Sequence, residues 1–279
     1  MHLGFLRLTA LFAGMCLPLA TPAFATEALS ASSANFDVQS YRGGPAVAEI
    51  LNRCEPLRGE CRRVWLDLQD EAAWNPRCSV VLHATQAGYL QAVGRGGSQT
   101  SGSSLVRFER DRVVLRRVDL VVARDGTITA LAHELTHVVL ADRFGPRRPP
   151  LWLDEGIATL ADAAAKQSLH DRDCRRAMEN GSALRLIELL RLEAFDSAEQ
   201  IPAFYGQSLS LVRFLAERDP PAKIVIFAER AMHVGHDRAL AEHYNIGGLA
   251  ALEREWRDYA AANGRPHDGT RAVRASLRK

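Results

Sequence analysis

The segment His133-Glu134-Leu135-Thr136-His137 sets two imidazoles four residues apart, with a carboxylate beside the first. On an α-helix, residues four apart lie about 40° apart around the axis and one turn apart along it. Both rings can then reach a single metal ion at about 2.0–2.1 Å. Glu134 would project beside that ion, where a carboxylate can take a proton from a water. The chain has 9 histidines in 279 residues, so chance supplies only about 0.02 copies of this pattern.

The elements that must hold these groups can be read from periodicity. Ile128, Leu131, Leu135, Val138 and Val139 recur at helical spacing, on a stripe roughly opposite His133 and His137. One face would pack on a core and the other would face a cleft. Asp125-Gly126-Thr127 offers a turn and an N-cap, and Gly145-Pro146 with Pro149-Pro150 ends the helix. A second stripe follows in Leu153, Ile157, Leu160 and Ala164, with Pro150 suited to a helix start.

A catalytic zinc with two histidines needs one more protein ligand and an open position. Glu155, on the second helix, supplies it if the two helices face each other. Gly156 costs roughly 1 kcal/mol in a helix relative to Ala, and close approach to the His133 helix would explain it. Metal-bound histidines usually donate to a carboxylate or carbonyl, for which Asp154, Thr159 and Asp162 are all candidates.

His-Glu-Leu-Thr-His followed by Trp152-Leu-Asp-Glu-Gly-Ile-Ala158 closely resembles the gluzincins, specifically the peptidase MA-like family of bacterial proteins. Looser similarity runs from about Cys78 to Trp256, including Phe204-Tyr205-Gly-Gln-Ser208, Leu211-Val-Arg-Phe-Leu215 and Leu252-Glu-Arg-Glu-Trp256. The resemblance implies an α+β fold: a thermolysin-like core with a small mixed sheet packed on the zinc helix, then a mostly helical lobe. It implies one zinc per chain held by His133, His137 and Glu155, and hydrolysis of peptide or protein substrates with Glu134 as general base. It also points to Tyr205 as donor to the oxyanion; His233, His236 and His243 are the alternatives. A zinc-binding protein of the same fold with only a binding or scaffold role is the competing expectation.

Composition narrows the classes further. A formal charge of +2 and 47% hydrophobic residues suit a globular chain and give no case for nucleic acid. Residues 1–25 read as a secretory signal peptide, with Arg7 before an apolar run too short to span a membrane and Ala23-Phe24-Ala25 at the cleavage site. Export to the periplasm or medium is expected, without a stable membrane span; no feature specifies an oligomeric state. Cys54, Cys61, Cys78 and Cys174 would remain, and an even number in an exported chain suggests disulfides, Cys54–Cys61 first and Cys78–Cys174 by elimination.

Residues 26–44 are rich in Ala and Ser and expected to be flexible. The peptidase-like domain spans 45–262, as a sheet and zinc-helix lobe (45–165) and a helical lobe (166–262); 263–279 form a basic tail. Within the first lobe, a short helix at 45–52, a weak strand at 64–68, a strand at 79–84 and a helix at 86–93 are expected. A polar loop at 94–104 and strands at 105–108, 113–115 and 119–123 follow. Beyond Ala165, stripes at 182–192, 203–216, 222–232 and 249–262 predict helices.

Overall fold

A computed structural model describes residues 29–40, 47–69, 72–94, 96–97 and 100–262; the expected signal peptide (1–25) and basic tail (263–279) lie outside these. The fold is α+β. Its sheet comprises β1 (Leu29–Ser32), β2 (Phe36–Ser40), β3 (Cys78–His83), β4 (Gly102–Glu109) and β5 (Arg112–Val121), in the order β1-β2-β3-β5-β4. β2, β3 and β5 run parallel, while β1 and β4 pair antiparallel at the two edges. Five of the six residues of β3 are buried, as befits a central parallel strand.

Residues 29–40 are not a flexible leader. They form β1 and β2, and Phe36 and Val38 are fully buried. Two apolar residues at period two suffice to seal one face of a strand, although the Ala and Ser around them mask the pattern. The short helix expected at 45–52 extends as α1 (Val47–Leu66), straight through Pro56 and over the weak strand expected at 64–68. Ile50, Cys54, Cys61, Val64 and Trp65 keep one buried stripe on both sides of the proline. Burying that stripe outweighs the roughly 3 kcal/mol that an internal proline costs. The strand at 79–84 and the helix at 86–93 appear as β3 and α2 (Gln86–Val93). The strands expected at 113–115 and 119–123 merge into β5, and β4 begins inside the expected loop.

After β5 the described chain is helical: α3 (Leu131–Phe144), α4 (Leu151–Leu160), α5 (Ala164–Asn180), α6 (Leu186–Arg191), α7 (Gln200–Arg218), α8 (Ala222–Val234), α9 (His236–Tyr244) and α10 (Leu249–Ala262). None of the described helices is long and apolar enough to cross a membrane. α3 packs against α1, α4, β4 and β5. Arg116 of β5 ties α3 to the sheet, donating to Asp142 Oδ1 at 2.7 and 3.2 Å; Trp74 Nε1 donates to the same carboxylate.

The four described cysteines are buried free thiols, contrary to the expected disulfides. Cys54 and Cys61 both lie on α1. Seven residues of helix separate their Cα atoms by about 10 Å, beyond the roughly 7 Å a disulfide can span. Cys78 is on β3 and Cys174 on α5. Burial pushes the Cys54 and Cys61 thiols up to about 12, so they stay neutral and unreactive.

A buried polar cluster absent from the sequence reading joins β3 to β5. Arg117 donates to both oxygens of Asp119 at 2.7 Å, and His83 Nε2 lies 2.7 Å from Oδ1. Burial alone would raise the Asp119 pKa, but the hydrogen bonds from Arg117 and His83 outweigh it and hold it below 3.8. A depressed carboxyl pKa adds stability above the unfolded value, near 3.8, which is lost as pH falls through the folded one. Asp119→Asn should therefore cost about 1–3 kcal/mol at pH 7 and flatten the acid limb below about pH 4. Urea unfolding at pH 7 and pH 3 tests this; equal mutant penalties at both would contradict it.

Candidate metal centre

α3 and α4 bring the proposed ligands together. Nε2 of His133 lies 3.6 Å from Glu155 Oε2, and Nε2 of His137 lies 4.0 Å from the same oxygen. One donor atom from each of the three residues falls within 4.8 Å of the other two, the only such grouping of His, Cys, Asp or Glu among the described residues. The imidazole centroids are 4.9 Å apart, with the ring planes at 76°.

Both outer nitrogens face acids. His133 Nδ1 donates to Asp162 Oδ2 at 3.1 Å, and Lys166 Nζ lies 2.9 Å from the same oxygen. His137 Nδ1 lies 2.9 Å from Asp154 Oδ1, close enough for an ion pair but off the angle of a hydrogen bond. A proton on Nδ1 leaves the Nε2 lone pair for a cation. Of the three residues considered for this support, Asp154 and Asp162 are in place. Thr159 is fully buried, and its hydroxyl has no partner among the described residues.

A metal ion fits this donor set. Glu155 Oε2 is buried and has no hydrogen-bond partner among the described residues, at the spot both Nε2 atoms face. Two neutral imidazoles and one carboxylate are the ligand types zinc takes at about 2.0–2.2 Å in hydrolytic sites. Electrostatics agree. Burial alone would raise the Glu155 pKa, yet His133 and His137 hold it below its ordinary value. Burial would likewise depress both histidines, yet Asp162 and Glu155 raise His133, and Asp154, Glu155 and Glu134 raise His137 to about 10. The pocket is thus built to hold positive charge.

Glu134 is 7% exposed and lines the same cleft. Burial pushes its pKa up, against the opposing pull of His137, His133 and the Ser104 hydroxyl. A carboxyl raised in this way is a better proton acceptor near neutral pH than a solvated one. β4 runs directly over it: a Cβ on Gly102 would stand 2.8 Å from Glu134 Oε1 and 2.7 Å from the Ala130 Cβ. Only glycine lets the strand approach this closely. The cleft, of about 350 Å³, is floored by α3 and walled by β4, by Arg148 and Pro149, and by Tyr205 of α7.

Tyr205 sits between two rings, His170 at 5.5 Å and 22° and Phe195 at 6.5 Å and 21°. Burial, together with Glu155 and other nearby carboxylates, raises the pKa of its hydroxyl, which stays protonated, a donor. His233, His236 and His243 do not line the cleft; His233 instead meets Arg147 Nη1 at 2.7 Å.

The reason for Gly156 differs from the one expected. Its Cβ would meet Ser208 O at 2.7 Å and Val212 Cγ2 at 2.6 Å, so it admits α7 and not α3. Gly206 does the same on the other side, where a Cβ would stand 2.5 Å from His170 O of α5. α7, with Tyr205 on it, is thereby pressed between α4 and α5. Gly156→Ala should destabilise the fold by about 1–3 kcal/mol, since a backbone oxygen cannot rotate away. Thermal unfolding should register that loss; an unchanged midpoint would contradict it.

Gly102 and Ser104, expected in a polar loop that could border a cleft, line it from strand β4; Arg148 as a cleft residue and His170 as the stacking partner of Tyr205 had no such expectation. Gly102 and Ser104 fall in a stretch whose glycines signal a loop, so their place on an edge strand had no local cue. No protein-family model matches this chain, and no curated protein matches it significantly.

Proposed function

We propose that this chain is an exported zinc-dependent metallopeptidase of the gluzincin type, acting in the periplasm or medium. The observation that carries the reading is the meeting of His133, His137 and Glu155 around the orphaned Glu155 oxygen, with Glu134 lining the same cleft outside that set. His133, His137 and Glu155 would hold one zinc ion. When bound, zinc supplies Lewis acidity, polarising the scissile carbonyl and making a water more acidic. Glu134 accepts the proton of the attacking water and passes it to the leaving amine. Tyr205 donates its hydroxyl hydrogen to the oxygen on which negative charge develops. Asp162 and Asp154 keep the imidazoles in the tautomer and orientation a cation needs. β4, whose outer edge is unpaired in the sheet order, offers backbone N–H and C=O groups to an extended peptide.

The test is metal analysis of the purified protein, followed by hydrolysis of a broad peptide library with and without a chelator. One zinc per chain and chelator-sensitive cleavage are expected. A zinc-loaded protein inert on such a library would favour the scaffold role instead, and a protein that takes up no zinc would end both readings.

A further inference from the structure

Arg148 is the only arginine or lysine among the described residues lining the cleft. The rest of the fixed charge there is acidic: Glu134, Glu155 and Asp154. The Arg148 guanidinium has no hydrogen-bond or ion-pair partner among the described residues. Its neighbour Arg147 does, in His233.

The backbone of Arg148 is unusual. It adopts φ 58°, ψ 151°, a region that glycine occupies and other residues rarely do. Pro146 precedes it, Pro149 and Pro150 follow, and its N–H bonds to Gly145 O at 3.2 Å. Glycine would satisfy this turn without strain, so its geometry does not account for an arginine. The side chain stands where two spaces join. Arg148, Pro149 and Asp154 line both the cleft and a second cavity of about 840 Å³, whose walls also carry Arg147 and Arg191. Asp154 and Glu193 are the acids on those walls, and Asp154 is already engaged with His137.

We propose that Arg148, which shares the wall of the second cavity with Arg191, captures a carboxylate of the bound peptide, so that the site selects anionic peptides. The inference rests on the peptidase reading and deepens it. In the zinc-loaded site the ion would offset Glu155, and Asp154 already faces His137, so the unpaired guanidinium of Arg148 adds the positive potential that draws an anionic chain. Its planar fork matches a carboxylate bidentately, which a flexible ammonium does less well. The carboxylate is either an Asp or Glu side chain or the peptide C-terminus.

The experiment uses zinc-loaded Glu134→Gln protein, which binds peptide without turning it over. The probes are four fluorescein-labelled octapeptide mixtures: Asp/Glu-containing or matched Asn/Gln-containing, each with a free or an amidated C-terminus. Binding is read by fluorescence anisotropy. Anionic mixtures should bind about 10- to 100-fold tighter than the neutral amidated one. That preference should weaken with added salt. The four arms separate side-chain from terminal capture. Adding Arg148→Ala or Arg148→Gly should abolish the preference, and Arg148→Lys should restore part of it. The glycine variant relieves the strained turn, so thermal unfolding should find it folded. Equal binding of all four mixtures, absence of binding to the anionic ones, or a preference that survives Arg148→Gly would each overturn the inference. Hydrolysis is measured separately with Glu134 intact. A preference without cleavage would remove the peptidase reading and leave the carboxylate site standing.

Discussion

Glu134→Gln should lower the rate of peptide hydrolysis by about 10²–10⁴-fold, the usual contribution of general acid–base catalysis. Glutamine keeps the shape of the side chain but can neither accept the water's proton nor hand one on. Glu134 is outside the set of three converging donors, so zinc should remain bound. The fold should survive as well, because the carboxylate is buried against opposing influences and its pKa is raised, so losing its charge removes a desolvation burden. The measurement is kcat/KM on a cleaved peptide, with zinc content and circular dichroism followed in parallel. Tyr205→Phe is the useful comparison: it should cost less, about 10–10³-fold, because one hydrogen bond to the oxyanion is lost while proton transfer remains. Wild-type activity in Glu134→Gln would sink the mechanism.

Removing a ligand should have the other large effect. Glu155→Ala or His137→Ala should weaken zinc binding by well over about 100-fold, since altering only the groups behind a ligand already costs about 10–100-fold. Glu155→Ala also takes away the acceptor that both imidazoles face, at 3.6 and 4.0 Å. Competition against a chromophoric chelator gives the affinity. A second readout is the rise in melting temperature that zinc confers on the wild type, which should vanish in the variant. Tight zinc binding by Glu155→Ala would show that the ligand set is misassigned.

The parts of this arrangement that local periodicity encodes are legible in the sequence. His133 and His137 share a helix face because residues four apart must, and the stripe of Leu131, Leu135, Val138 and Val139 is buried behind them. The helical C-terminal region shows the same 3.6-residue signal and folds accordingly. α3 starts later than Asp125-Gly126-Thr127 suggests. Asp125 caps its own turn, accepting from the Thr127 N–H at 3.0 Å, and the helix begins later, after Ala130, which supplies no side-chain cap. What stayed hidden depends on partners distant in sequence. Gly156 shows that a helix tolerates glycine for a reason, but only the crossing with α7 shows the neighbour it admits. Asp154 and Asp162 are indistinguishable from Thr159 as supports in the sequence; the facing of α4 on α3 brings Asp154 to His137, and the turn after α4 brings Asp162 to His133. The Ala- and Ser-rich strands β1 and β2 carry too few large residues to stand out, and their burial comes from the sheet they join.

The glycine-lined crossings of α7 bear on how such a protein can diversify over generations. At Gly156 and Gly206 an added methyl would strike backbone, so no compensating side-chain swap next door opens room. The block that carries Glu155 and Tyr205 can change only by several simultaneous steps. Beyond Gly102, the outward residues Leu105, Arg107 and Glu109 of β4 and the side chain of Arg148 face solvent, where single substitutions are tolerated one at a time. A lineage descending from this chain can therefore vary the cleft's outer wall while the block carrying Glu155 and Tyr205 stays as it is.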